Sequence, residues 1–585
     1  MRVGTIVRVG LHGRRVRGWV VADRVEASTE VSRLRPLTAV VSAGPTPDVV
    51  ELSVWIAHRW CGPRVAVLRS ASAPNRAPEP PPHPPAVRAI PDQGPGTSDA
   101  DRLADTVVGR AAAASRVVVR WPPLLDRRRL VRGLLASTGS TIVAVADGSR
   151  ARALARWLST LGHRTVVLHS DLSDRERTAE WSRATLGTCV VVGGRIAVLA
   201  PVPDLAAIVV VDDADEALQE ERAPTWTARD VAVERARRAG ARVSVVSASP
   251  TVVALAGLGE SVAPAPAAER AGWPLVEVVD RREEPPGAGL FSRALTDALH
   301  GAIAAGGPAV CVLNRRGRQR LVACDACGEI TRRDRTGAPL FDLAASGAPA
   351  EVAGAAVCPH CGSTRLRVLR SGVTRIREEL EALLGRASVA DVDADTLGAP
   401  DASVLIGTES VLRRHEVHAR RPRLVAYLDL DQELLAPRAR AVEQAFWLLA
   451  LGARVLAGRP RHDTRLLVQT RMPGHEAVEA LRSGDPSIVA DAERARRRAL
   501  GFPPFGALAE LRGAHEAVRH VTASLTALLE LGLDLTVLGP RADRTESATL
   551  VRAADAETLA DALAHVVPPA RALGRLRVVV DPPRV

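Results

Sequence analysis

Four of the seven cysteines form two pairs, Cys324-Asp325-Ala326-Cys327 and Cys358-Pro359-His360-Cys361, separated by 30 residues. Each pair places two thiolates on one tight turn, and two such turns supply the tetrahedral sulfur cage that Zn²⁺ prefers. Gly328 and Gly362 follow the second cysteine of each pair, where backbone freedom helps the turn close. The pattern predicts one structural Zn²⁺ on Cys324, Cys327, Cys358 and Cys361, with His360 outside the ligand set; unmetallated or redox-active thiols are the alternative. Four thiolates leave no open coordination position, so no catalysis is expected there. Cys61, Cys189 and Cys311 stand alone and read as small core residues.

A second chemical feature is an absence. All 78 residues of the Lys+Arg count are arginine. A phosphate-binding loop of the usual NTPase kind needs one ammonium that reaches the β- and γ-phosphates, and arginine's planar fork is a poor substitute. Codon bias can replace surface lysines with arginine, but would not be expected to replace a catalytic lysine still in use. The formal charge of +12 points to a polyanionic partner, nucleic acid first. Five Phe, one Tyr and nine Trp are too few for a base-stacking surface built from many aromatics. No run of about 18 uncharged apolar residues occurs, so no membrane span is predicted. The opening Met1-Arg2-Val3-Gly4 leads into strand-like sequence without a signal peptide, and paired cysteines suit a reducing compartment. The expected location is the cytoplasm.

The elements that must position these residues follow from patterning. Gly4–Val9 and Arg14–Asp23 read as strands, and Asp48–Leu68 as a compact helical piece. Nine prolines between Pro74 and Pro95 mark a semi-extended linker. Apolar strands at Val117–Arg120, Thr141–Val145, Thr165–Leu168, Thr188–Val192, Ala207–Val211 and Arg242–Val246 alternate with Ala/Arg-rich helices. Buried Val/Ile runs separated by helices predict a parallel α/β sheet. A second such block starts near Trp273 and continues with Ala309–Leu313, Ala402–Ile406 and Leu424–Leu430, with the cysteines in an insertion. The tail reads as α+β, with an Arg-rich helix at Ala490–Leu500 and a turn at Phe502-Pro503-Pro504-Phe505.

A series of segments then resembles one family in its own order. It runs "LHSDLSDRERTAEW" (Leu168–Trp181), "VVVGGRIAVLAPVPDLAAIVVVDDADE" (Val190–Glu216), "ARDVAVERA" (Ala228–Ala236), "SASPT" (Ser247–Thr251), "VLNRRGR" (Val312–Arg318), the cysteine pairs, "VLIGTESV" (Val404–Val411), "LDLD" (Leu428–Asp431), "LGFPPFG" (Leu500–Gly506) and "VDPPR" (Val580–Arg584). Together they resemble PriA, the bacterial primosomal replication-restart family, over nearly the whole length. The resemblance implies a multidomain α/β protein: an N-terminal DNA 3′-end-binding β domain (1–45), a winged-helix-like segment (46–70), the Pro-rich linker (71–100), two RecA-like helicase lobes (101–265 and 266–484) and a C-terminal α+β domain (485–585). The zinc-binding insertion, about 322–372, lies in the second lobe. It also implies a role: recognition of stalled or abandoned forks and recruitment of primosome proteins so that the replicative helicase is reloaded.

The chain departs from that family at three elements of one site. The phosphate loop, of the form GxTGSGKT, should follow the first strand of the first lobe; here the interval reads "VVVRWPPLLDRRRLVRGLL" (Val117–Leu135). Each proline removes an N–H from a loop that works by converging N–H groups, and Arg127–Arg129 could attract phosphate but not rebuild that nest. The DEEH-like metal box reads Asp212-Asp213-Ala214-Asp215, a vestigial Walker B. The QxxGRxGR box is replaced by "QAFWLLALGARVLAGR" (Gln444–Arg459), an apolar helix with one displaced arginine, Arg454. The family's inner cysteine pairs for a second zinc are absent, and the chain is expected to begin partway into the family's first domain.

These losses leave DNA binding as the expected function, without helicase activity and with ATP not hydrolysed. Candidate phosphate contacts are Arg8, Arg14, Arg15, Arg17, Arg195, Arg315, Arg316, Arg332, Arg333 and Arg335, since arginines bind phosphate without reading sequence. The partners implied are branched, forked and single-stranded DNA, primosome proteins, the replicative helicase or its loader, and single-strand-binding protein, in a nucleoid-associated setting. A weak ATP-dependent translocase with an atypical site is the alternative, and an interaction protein that has lost DNA binding is a third reading.

Overall fold

The structure is a computed structural model that describes residues 1–11, 13–23, 25–26, 37–79, 96–282, 290–313, 320–324, 330–333, 361, 363, 366–368, 372–385, 387–393, 396, 398–436, 438–542 and 545–582. The chain divides into two compact units: 1–273 with 437–450 and 479–585, and 274–436 with 451–478.

The first unit begins with three antiparallel strands, β1 (Ile6–Leu11), β2 (Arg14–Trp19) and β3 (Leu37–Ser42), in the order β2-β1-β3. Helices Pro47–Arg59 and Arg64–Ser70 follow, and no wing strands stand between them among the described residues. The prolines at 80–95 lie outside the described residues, while Ala71, Ala73 and Ala77 on their N-terminal side are buried.

Next comes a seven-stranded, wholly parallel sheet of β4 (Arg116–Arg120), β5 (Ser140–Val145), β6 (Thr165–Leu168), β7 (Val190–Gly193), β8 (Leu205–Val211), β9 (Arg242–Ser247) and β10 (Glu260–Val262). Its order is β10-β4-β9-β8-β5-β7-β6. All six strands expected from the Val/Ile runs are present; β10 is the addition, a three-residue edge strand too short to show a pattern. Buried on both faces, β5 and β7 have no exposed position, as a parallel sheet between helix layers requires. Local signals set the helix ends. Ser98 with Asp101 and Ser173 with Glu176 form capping boxes, and Gly240 closes helix Ala228–Ala239 in the left-handed conformation at φ 62°.

The second unit holds a six-stranded parallel sheet of β11 (Leu275–Asp280), β12 (Ala309–Val312), β16 (Val389–Val392), β17 (Val404–Gly407), β18 (Leu424–Tyr427) and β19 (Arg465–Thr470), ordered β11-β19-β18-β12-β17-β16. Sequence reading missed β16 and β19. An antiparallel insertion of β13 (Arg320–Cys324), β14 (Ile330–Arg333) and β15 (Leu366–Val368) lies between β12 and β16.

The C-terminal part of the first unit is the expected α+β layer: β20 (Ala507–Gly513), β21 (Leu535–Ala542), β22 (Ser547–Ala553) and β23 (Leu576–Val580), antiparallel in the order β21-β22-β20-β23. Helices His515–Glu530 and Ala556–Ala572 join its strands. One continuous core runs through Leu52, Ile56 and Trp60, one face of the seven-stranded sheet, and Val518, Leu563 and Val578. No described helix is long and apolar enough to cross a membrane.

Candidate functional site

The segment after β4 is where a phosphate loop would open, and it is packed shut. Trp121, Pro122 and Pro123 are buried, and Trp121 belongs to the core beneath the sheet. The Trp121 N–H donates to Ser247 O at 3.0 Å and the Leu124 N–H to Gly272 O at 3.0 Å. A side chain on Gly272 would meet Pro122 at 2.4 Å, so the loop is pinned against the chain after the sheet. These N–H groups are spent inside the protein, and the prolines have none to offer.

The three arginines that follow do not wait for phosphate. Arg127 Nη1 donates to Asp212 Oδ2 at 2.6 Å, with both side chains largely buried. Arg128 is bound to Asp126 at 2.5 Å, and Arg129 holds Asp105 through Nε and Nη2, each at 2.7 Å. Arg127 and Arg129 are thus held by carboxylates of this chain in half-buried pairs, and Arg128 by an exposed one. Asp212, the carboxylate left from the metal box, sits at φ 58° and is turned onto Arg127.

Asp213 points the other way, into a buried polar network. It accepts from the Thr251 hydroxyl and lies 3.5 Å from Arg229, with none of its side chain exposed. Burial pushes its carboxyl above the ordinary range, with Arg229 only partly opposing. Burial also works against the charge of Arg229, but Asp230 at 2.9 Å and Asp213 hold it above the usual arginine value. The network extends to helix Ala441–Val455. There Glu443 accepts from the Val252 N–H at 3.0 Å and forms an ion pair with Arg497 at 3.1 Å, and Gln444 Nε2 donates to Ala214 O at 3.0 Å. Arg497 in helix Ser487–Leu500 also pairs with Glu493 at 3.0 Å. Sequence reading recognised this helix as apolar but missed Glu443, Gln444 and Arg497. For Glu443 and Gln444 the signal was a polar residue beside an apolar run; Arg497 stands among exposed arginines, and nothing local marks it.

The surface arginines divide. β1 and β2 pair Arg8 with Arg17, Gly10 with Arg15 and Leu11 with Arg14, so Arg8, Arg15 and Arg17 share one face of the hairpin and Arg14 lies on the other. All four are exposed, and no described carboxylate pairs with them. Arg17 stacks 5.9 Å above Trp19, and partial burial, then the nearby Arg69, lowers its pKa. Arg195 differs: Glu220 holds it at 3.1 Å. Arg315, Arg316 and Arg335 lie outside the described residues; Arg332 and Arg333 are in β14.

For the cysteine pairs the backbone is informative. Ala323 pairs with Ile330 across β13 and β14, so Cys327 falls in their connection, itself outside the described residues. On the other side Cys324 pairs with Leu366 of β15, five residues after the exposed Cys361. The C-terminal end of β13, at Cys324, thus meets the N-terminal end of β15. Cys327 and Cys358 lie outside the described residues. The lone Cys61, Cys189 and Cys311 are buried, and burial pushes their thiols up to about 11, 11 and 12. They are core residues, as expected.

Residues 1–73 match the 3′ DNA-binding domain model of PriA, and residues 498–583 match the C-terminal domain model of primosomal protein N. The probable replication restart protein PriA of Mycobacterium leprae is 30% identical over 559 residues, 88% of this chain and 84% of that protein. The chain belongs to the PriA family. The replication restart proteins PriA of Bacillus subtilis and Treponema pallidum are 28% and 33% identical over 66% and 65% of the chain. These matches span 52% and 61% of those proteins' own lengths. Among solved structures, a DEAD box protein from Methanococcus jannaschii matches 66% of this chain and 90% of its own, at a TM-score of 0.31 and 11% identity. The arginine-bearing hairpin and the two helices after it fall inside the PriA 3′ DNA-binding match.

Proposed function

We propose that this PriA-family protein is a DNA-binding replication-restart factor that recognises branched or forked DNA and recruits the replicative helicase machinery without turning over ATP. The observation that carries the proposal is the Arg127–Asp212 ion pair beside the packed Trp121-Pro122-Pro123 turn. A metal-bound nucleotide that used Asp212 would have to displace the Arg127 guanidinium from it. It would then meet neither an N–H nest nor a lysine.

DNA affinity rests on the exposed hairpin arginines within the 3′ DNA-binding match, where phosphate contacts fix position without reading bases. Cys324, Cys327, Cys358 and Cys361 would hold one structural Zn²⁺ that fastens the ends of β13 and β15. The partners on this reading are primosome proteins, the replicative helicase or its loader, and single-strand-binding protein, at the nucleoid in the cytoplasm.

The deciding experiment is an ATPase assay on the full chain with forked DNA. Binding to the fork without DNA-stimulated hydrolysis is expected. Turnover on the order of 1 s⁻¹, within the ordinary enzyme range, would overturn the proposal in favour of an active translocase. Fork affinity that ignores salt would instead argue for an interaction protein without phosphate contacts.

A further inference from the structure

A polar cavity in the first unit plays no part in that reading. It opens to solvent and is lined by Arg440, Arg497 and Asp581 against apolar walls from Phe502, Pro503 and Leu508. Its polar groups are incompletely paired. Asp581 is held at φ 50°, in the left-handed region that costs most non-glycine residues energy. Its side chain is 8% exposed; Oδ2 accepts from Arg59 at 2.6 Å, while the buried Oδ1 has no partner. Arg497 is 3% exposed, and its Nη2 faces Glu443 at 3.1 Å without a hydrogen bond. No described residue makes a hydrogen bond or ion pair to the Arg440 guanidinium. Burial lowers the Arg440 pKa, and the like charges of Arg229 and Arg497 add to the effect against Glu443.

Buried polar atoms are nearly always satisfied, so guanidinium donors and a carboxylate acceptor left open around one cavity specify a ligand with both capacities. An ionised carboxylate or a sulfate supplies acceptors only and would set its oxygens against Asp581. Hydrogenphosphate, which keeps a proton throughout the neutral range, and the monoanion of a phosphomonoester, whose second pKa is about 6, each supply acceptors and an O–H. We propose that this cavity binds a hydrogenphosphate or phosphomonoester group. The guanidinium groups of Arg440 and Arg497 donate to its oxygens, and Asp581 Oδ1 accepts from its P–OH. The same chemistry comes from free phosphate or from the phosphorylated end of a nucleic-acid strand.

The test follows thermal unfolding of the full chain near pH 6.5, titrated with inorganic phosphate or sulfate at constant ionic strength. Phosphate should stabilise saturably, with a midpoint roughly tenfold or more below that of sulfate, the worth of one charged hydrogen bond. Arg440→Gln should abolish the phosphate response while its circular dichroism stays that of the parent. Asp581→Asn replaces an acceptor with a donor and should erase the preference for phosphate over sulfate. A 5′-phosphorylated oligonucleotide that competes with phosphate, where its unphosphorylated twin does not, assigns the strand end as source; equal behaviour of the two assigns free phosphate. Equal responses to phosphate and sulfate in the parent, or an undiminished phosphate response in folded Arg440→Gln, would overturn the proposal. Should Arg440→Gln fail to fold, the parent's selectivity and its loss in Asp581→Asn decide the matter.

Discussion

Arg497→Leu should be among the most destabilising single changes in the first unit. Its side chain is 3% exposed and pairs with Glu443 at 3.1 Å and Glu493 at 3.0 Å, carboxylates that are 4% and 2% exposed. Removing one partner of a buried pair leaves an uncompensated charge and costs about 3–5 kcal/mol. Arg496 also bonds Glu493, and Arg440 lies near Glu443, which places the expectation at the lower end, about 3 kcal/mol. Burial opposes the Glu443 charge, but Arg497 and Arg440 outweigh it and hold the carboxyl below its ordinary value. A depressed carboxyl pKa contributes stability that is present above the unfolded value, about 4.3, and is lost as pH falls through the folded one. The deficit of Arg497→Leu should therefore be full at neutral pH and shrink as pH falls below about 4. Urea unfolding of parent and variant at both pH values measures it. Glu443→Gln combined with Arg497→Leu should recover part of the loss, because the stranded charge is gone. A neutral-pH deficit under about 1 kcal/mol, typical of an exposed pair, would refute the reasoning.

Metal analysis of the full chain should return about one Zn per chain, and Cys358→Ser should lose it; two per chain would contradict the single cage. Arg15→Ala and Arg17→Ala should each weaken binding to forked DNA regardless of sequence and reduce the salt slope by about 1, whereas Arg195→Ala, whose guanidinium is held by Glu220, should change the slope little. Arg127→Ala frees Asp212 but restores neither nest nor lysine, so no ATPase activity should appear. DNA-stimulated hydrolysis in that variant would show that the ion pair, rather than the loop, silences the site.

Much of the architecture was legible in linear sequence because parallel strands buried on both faces must be apolar throughout. "STIVAV" and "LAAIVVV" announce β5 and β8 without help from neighbours. β16 escaped notice because it is the edge strand "VADV", with a carboxylate in a half-buried row; β19, "RLLVQT", carries Gln469 and Thr470 into the core and so breaks the apolar run. The cysteine pairs were equally plain, since a CxxC turn encodes its own geometry within four residues.

The segment after β4 shows where linear reading stops. The sequence by itself determined that the chain has no lysine and that no glycine stands between Val117 and Arg132, local patterns that need no coordinates. Only the tertiary structure decided what packs around that segment. Arg127 and Asp212 are 85 residues apart, as are no two members of a local motif, and nothing in either neighbourhood names the other. Asp213, Arg229, Thr251, Glu443 and Arg497 come from five separate segments, brought together because a charge carried into a core must find a partner there. Sequence fixes which residues will be buried; which buried charges meet depends on how the sheets and helices stack.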